Sequence, residues 1–237
     1  MALLNYQEVP EHWDAFFAEQ RNTDLPEAMK LFYLQALPEA QQTLQETNFV
    51  ALDIETTGLN AQTDDIVSIG IVPFDVHRIY LSKAKHWIVR PRKLTTESVL
   101  VHGITHTDVA EAPSFKSVLP EILTHLQGKQ VVVHYRYMER EFFRIAVQKL
   151  FKQNLLFPVI DTLELEAQFL RNSRSIFDKL RNKTMPSLRL LNVRERYNLP
   201  AYENHNALVD ALATAELLQA QLAKQQLHNK LVRNVWL

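Results

Sequence analysis

The chain has 237 residues, 46% of them hydrophobic and 22% charged, with a net charge of −1 and no cysteine. That is enough apolar material for one sizeable core plus an appendage, and the missing thiols exclude disulfides, cysteine-based zinc sites and thiol catalysis. No run approaches the ~18 apolar residues of a membrane span, and the start, MALLNYQEVPEHW, lacks a basic segment followed by an apolar one, so a cytoplasmic protein with no membrane contact is expected.

Residues 1–46 read as a helical N-terminal extension. EHWDAFFAEQ sets Trp13, Phe16 and Phe17 on one side of a helix, Pro26 fits the first turn of a second, and Pro38 is placed to open a third. Eight acids against two bases give this stretch a charge of −6, so it can either pack on the main domain or serve as a docking arm. The main domain spans 47–225. NFVALDI is a predicted buried strand, DIVSIGIVPF (65–74) a second, and IYLSKAKHWIV (79–89) a third, antiparallel to it. TESVLVHGI opens a helical or loop segment, and 114–128 is a helix closed by Gly128. QVVVHY (130–135) is a short strand, 138–151 a helix, FPVIDTL (157–163) a fifth strand, and ELEAQFL the start of the next helix. Residues 171–196 carry eight bases against two acids, +6, which makes them either a phosphate-binding surface or a solvated face. Helices follow at 187–197 and 205–224, the latter with a stripe of Leu208, Leu212, Ala215, Leu218 and Leu222. Residues 226–237 form a C-terminal tail, apolar beside basic, that either packs back or docks on a partner. Strands followed by alternating helices and strands predict an α/β fold: a mixed five-stranded sheet with helices on both faces.

The chemistry begins at FVALDIETTGL (49–59). Side chains i and i+2 share a strand face, so Asp53 and Glu55 project together while Ile54 goes to the other side. Two adjacent carboxylates repel and lose hydration unless a cation joins them. Hard oxygen donors without sulfur suit Mg²⁺ or Mn²⁺. Read alone, the pair can as well be one turn cap and one solvated acid. Three further stretches follow in order: VHGIT (101–105), a His-x₄-Glu at His134–Glu139 opening a helix, and HNALVD at His205–Asp210.

Together these motifs resemble the DnaQ-like 3′→5′ exonucleases, the DEDDh branch of the RNase H-like fold, over residues 47–225. The resemblance implies that Asp53, Glu55, Glu139 and Asp210 hold two Mg²⁺ or Mn²⁺, and that His205 is the general base. It implies that Thr56, Thr57, Gly58, Leu59 and His102 line the substrate site. It also implies hydrolysis of terminal phosphodiesters at the 3′ ends of single-stranded or frayed nucleic acid, DNA before RNA, with a polymerase or another replication or repair protein as partner. The second motif departs from the family pattern His-Asn-x-x-Phe-Asp: the chain reads His134-Tyr135-Arg136-Tyr137-Met138-Glu139. Glu139 is then either a substitute ligand or the mark of a weakened site that binds without turnover, and Glu141 falls on another side of the helix. Arg136, Arg140 and Arg144 recur every four residues, a ridge that suits either phosphates or ion pairs with Glu139 and Glu141. A protein-interaction subunit and an RNA-trimming enzyme are the remaining alternatives. His106, four residues after His102, suggests a zinc pair without a third ligand.

Overall fold

The computed structural model describes residues 9–35, 37–39, 41–173, 184–202 and 205–237. Five strands, β1 (Phe49–Thr56), β2 (Ile66–Phe74), β3 (Lys85–Ile88), β4 (Gln130–Val133) and β5 (Val159–Asp161), form one sheet in the order β3-β2-β1-β4-β5. β1 pairs antiparallel with β2, and β2 with β3, while β1, β4 and β5 run parallel. The mixed five-stranded sheet expected from the sequence is therefore present.

Both faces of the sheet are apolar, which explains why β1 reads as a continuous hydrophobic run. On one face Val50, Leu52, Ile54, Ile69, Ile71, Val131 and Val133 pack with four helices. These are α1 (Trp13–Arg21), α2 (Glu27–Leu34), α5 (Phe115–Leu126) and α6 (Tyr137–Phe151). Trp13, Phe17, Met29 and Tyr33 of the N-terminal extension belong to the same cluster as Ile122 and Phe143. Tyr33 is tied down by its hydroxyl, which donates to the Leu156 carbonyl and accepts from the Leu156 N–H, both at 3.1 Å. On the opposite face Phe49, Ala51, Val72, Phe74, Val132 and Ile160 meet α7 (Thr162–Ser173) and α9 (Ala207–Lys224). Ala211, Ala215, Leu218 and Leu222 supply the stripe of α9. Each of the larger side chains fully buried here contributes about 1.5–3 kcal/mol. The helices α3 (Thr96–His102), α4 (His106–Ala110) and α8 (Leu190–Arg196) are short.

Three predicted strands are shorter than the sequence suggests. The third strand is confined to Lys85–Ile88, because the Asp75 carboxylate takes the His77 and Arg78 N–H groups and the Tyr80 hydroxyl, and Leu81–Lys83 form a 3₁₀ turn. The fourth strand ends at Val133 and the fifth at Asp161, where a helix starts at once. No helix opens at Pro38: its carbonyl accepts two hydrogen bonds from the Arg233 guanidinium. The tail packs back on the chain. Leu231 bridges Thr43, Leu237 exchanges backbone hydrogen bonds with Val159, and Val232 is buried. No helix among the described residues is long and apolar enough to cross a membrane.

Candidate active site

The alternation along β1 fixes where the acids go. Phe49 and Ala51 face α9, so Asp53 and Glu55 face the N-terminal end of the same helix. A register irregularity between Glu55 and Thr56 ends regular pairing at that point. Asp210 arrives from the first turn of α9. Asn206 caps the helix, its side chain accepting from Leu208 N–H at 3.1 Å and Val209 N–H at 3.2 Å.

The approach of α9 depends on a glycine in the neighbouring strand. Gly70 lies opposite Asp53 in the β1–β2 register. A Cβ there would sit 2.1 Å from the Ala207 carbonyl oxygen and 2.4 Å from the Leu208 nitrogen. Any side chain at 70 would push the helix end off the sheet, and Asp210 with it.

With the helix in place, Asp53, Glu55 and Asp210 each offer an oxygen within 4.8 Å of the others. No lysine or arginine among the described residues forms an ion pair with them. Burial therefore dominates their titration. It drives Asp53 well above the usual carboxylate range, reinforced by the charges of Glu139, Asp210 and Glu55. Burial and the Asp210 charge push Glu55 up to about 8. Burial raises Asp210 too, against the pull of the His205 N–H, which donates to its Oδ2 at 2.9 Å. Protons or cations must neutralise this cluster, and hard carboxylate donors fit a divalent cation.

Glu139 sits beside this trio. It is 5% exposed on the first turn of α6, and its Oε2 has no hydrogen-bond partner. Burial pushes its pKa well up, and the Asp161 charge adds to that. Its charge is the largest carboxylate contribution raising Asp53, so it borders the cluster from the α6 side. Glu141 is already neutralised by Arg144, at 2.7 Å and 3.0 Å.

The turn after β1 is braced internally. The Thr56 hydroxyl donates to the Gly58 carbonyl at 2.6 Å, and the Thr57 hydroxyl accepts from the Asp65 N–H at 2.9 Å. Gly58 leaves room for the Asp64 carboxylate, whose Oδ2 would lie 2.4 Å from a Cβ at that position. Leu59 is the open side chain, 83% exposed. His205 is exposed and adopts φ 68°. It is close enough to His102 for its charge to add to burial in lowering the His102 pKa. His102 accepts from the Ile104 N–H through Nδ1, and its Nε2 has no partner. His106 belongs to α4, and no group of potential metal ligands among the described residues includes it.

The arginine ridge is engaged within the fold. Arg136 pairs with Asp161, Arg140 donates to the Leu237 carbonyl, and Arg144 pairs with Glu141, while Arg140 and Arg144 are buried. Much of the basic segment is likewise structural. Arg171, Arg194 and Arg196 pair with Glu164, Glu216 and Glu166. Arg174, Lys179, Arg181 and Lys183 lie outside the described residues, and Arg189 lines the cavity below.

His134 orders the floor of the site. Its Nε2 donates to the Leu188 carbonyl at 2.9 Å, and its Nδ1 meets the Thr162 hydroxyl at 2.8 Å. Next to it, a cavity of about 750 Å³ is lined by Asp53, His134, Tyr135, Leu188, Arg189, His205 and Asp210.

The sequence matches the family described as Exonuclease, RNase T, over residues 50–218. The chain belongs to the RNase T exonuclease family. It is 32% identical over 176 residues to the PolC-type DNA polymerase III of Thermotoga maritima, covering 74% of this chain and 12% of that protein. The exonuclease chain thus spans about an eighth of the PolC-type relatives it matches. It is 26% identical over 181 residues to the DNA polymerase III epsilon subunit of Treponema pallidum, covering 76% of this chain and 79% of the other. In fold it is similar to the nuclease domain of 3′hExo, a DEDDh family member bound to rAMP. The TM-score is 0.63 at 16% identity, over 78% of this chain and 96% of that one. The RNase H-like architecture follows, with the N-terminal helices added to it.

Gly70, Asn206 and Asp161 were not singled out as site residues by motif. Each left a signal: a glycine inside an apolar strand, an asparagine directly before a helix, and an acid at a strand end.

Proposed function

We propose that the exonuclease domain removes nucleoside 5′-monophosphates from the 3′ ends of single-stranded or frayed nucleic acid, DNA before RNA. The observation that carries this reading is the convergence of Asp53, Glu55 and Asp210, oxygens within 4.8 Å and without a lysine or arginine ion pair among the described residues, with Asp53 and Asp210 lining a cavity that also holds His205. Asp53, Glu55 and Asp210, with Glu139 on their flank, would hold two Mg²⁺ or Mn²⁺. Bound there, the cations supply an acidified water and neutralise charge on the phosphate. A ring nitrogen of His205 takes the proton of the attacking water. The water oxygen forms the new bond to phosphorus, the bond to the 3′ oxygen breaks, and that oxygen is protonated from solvent. Leu59 and the turn Thr56–Gly58 border the terminal nucleotide, and His102 borders His205. Relatives named as DNA polymerases support a polymerase, or another replication or repair protein, as partner.

The test is degradation of 5′-labelled single-stranded DNA, duplex DNA and RNA by the wild-type chain with Mg²⁺ or Mn²⁺. Stepwise shortening from the 3′ end with mononucleotide release is expected, fastest on single-stranded DNA. No release from any strand with either metal would sink the reading.

A further inference from the structure

The second motif holds a residue that the proposed chemistry does not use. Tyr135 has φ 85°, a left-handed conformation rare for a bulky side chain, and such outliers persist only where the surroundings impose them. Here Asp161 imposes it. One carboxylate oxygen accepts from the Tyr135 N–H and the other from the Arg136 N–H, both at 3.0 Å, and Arg136 Nη1 adds a contact at 3.2 Å. The result is not burial of the ring: Tyr135 remains 45% exposed.

The ring stands between two hollows. On one side is the cavity shared with Asp53, His205 and Asp210. On the other is a cleft of about 160 Å³ with Leu59, Asn60, Tyr137 and Met138. Tyr137 braces Tyr135 edge-on, with centroids 5.4 Å apart at 66°. Tyr137 is itself held by the Arg136 guanidinium, 4.4 Å over its ring and bonded to its hydroxyl at 2.8 Å. Among the described residues, the one charged residue lining the cleft is Glu141, paired with Arg144. A cleft with aromatic and aliphatic walls, amides at its rim and no cation among the described residues that line it suits a flat neutral group rather than a phosphate.

We propose that the Tyr135 ring stacks on one nucleobase of the bound strand, received between Leu59 and the Tyr135–Tyr137 pair. This rests on the exonuclease reading and assigns a role to the chain's own departure from the family motif, where an asparagine is the pattern. Stacking of this kind is tolerant of sequence, so every base is accepted.

The experiment compares wild type, Tyr135→Ala and Tyr135→Phe on an intact 5′-labelled single strand. Three further strands carry one abasic site each, at the terminal, second or third position from the 3′ end. On the intact strand Tyr135→Ala raises KM about 5- to 150-fold, the range expected for one lost stack, while Tyr135→Phe stays near wild type. On the one strand that lacks the stacked base, the penalty falls to near unity, as coupling between ring and base requires. A penalty equal on all four strands, or none on the intact strand, overturns the proposal. Thermal melts of both variants establish that they fold. If wild type cleaves no strand, the exonuclease reading fails, and fluorescence anisotropy on the same four strands still reads the stacking through binding.

Discussion

The two halves of the acidic site are built differently. Asp53, Glu55 and Asp210 sit where regular structure puts them: two on alternating positions of a central strand, one on the first turn of a capped helix. The half contributed by His134–Glu139 rests on irregular structure. It follows a strand that stops early, passes through a left-handed tyrosine clasped by Asp161, and delivers a glutamate whose Oε2 has no hydrogen-bond partner. The first half is placed by the regular elements themselves, so the position of its acids is set by the fold. The second can vary in sequence while its backbone is held by a carboxylate from β5. Variation is therefore expected there, and tuning of the enzyme with it.

The comparison breaks most sharply at the regular half. Asp53→Ala and Asp210→Ala should each lower mononucleotide release about 10³-fold or more, since each removes a donor from the cluster proposed to hold the metal. Both should leave the metal-free protein folded, and Asp53→Ala should raise its Tm, because it deletes a desolvated carboxylate that Glu139, Asp210 and Glu55 repel. Unchanged release in either variant would move the chemistry away from this cluster.

Gly70→Ala tests the same half without touching an acid. The added methyl meets backbone, not a flexible side chain, so the end of α9 must move. The expected cost is on the order of 3 kcal/mol, at the upper end for overpacking, read by denaturant unfolding. Activity should fall beyond what stability explains, with a raised metal requirement, because Asp210 moves with the helix. A variant as stable and active as wild type would show that α9 does not depend on this contact.

Glu139 and the cluster share a pH signature. Glu55 titrates near 8 when folded and near 4.5 when unfolded. Between those values the folded chain binds more protons, so stability is full below about 4.5 and declines as pH rises through about 8. Asp53, Glu139 and Asp210 shift in the same direction. Metal-free protein should therefore melt lower at pH 8 than at pH 5.5. Added Mg²⁺ or Mn²⁺ should restore Tm at pH 8 and do little at pH 5.5, where protons compete. Glu139→Gln should flatten the pH slope in part. If Glu139 works as a ligand, the variant also loses about 10- to 100-fold in activity at limiting metal. Retained activity with the flattened slope would leave Glu139 as a buried acid that donates nothing.

Much of this was legible in the sequence because it follows from period and spacing. A period of two put Asp53 and Glu55 on one face, and the helical stripe of α9 set that face against the sheet. What was not legible depends on distance across the chain. Gly70 matters through Ala207, Asp161 through Tyr135, and Arg233 through Pro38, none of them sequence neighbours. The partners of the arginine ridge were hidden for the same reason: Arg136 pairs with Asp161 and Arg140 meets the C-terminal residue, both far along the chain, and only the Arg144–Glu141 pair is local.

The smallest expected effect sharpens the comparison from the irregular half. If Asp161 holds Tyr135 in a conformation the tyrosine itself resists, glycine at 135 should relieve that strain. Tyr135→Gly removes the Cβ that disfavours φ 85° and loses only a ring that is 45% exposed. Tyr135→Ala loses the same ring but keeps the Cβ. The glycine variant should therefore be more stable than the alanine variant by about 1 kcal/mol, despite the usual entropic penalty of glycine. Chemical denaturation of the pair reads the difference directly, and the order reversed would mean that the turn is not strained. With the expected order, the enzyme gives up stability at the one position where its second motif presents an aromatic ring beside the acids.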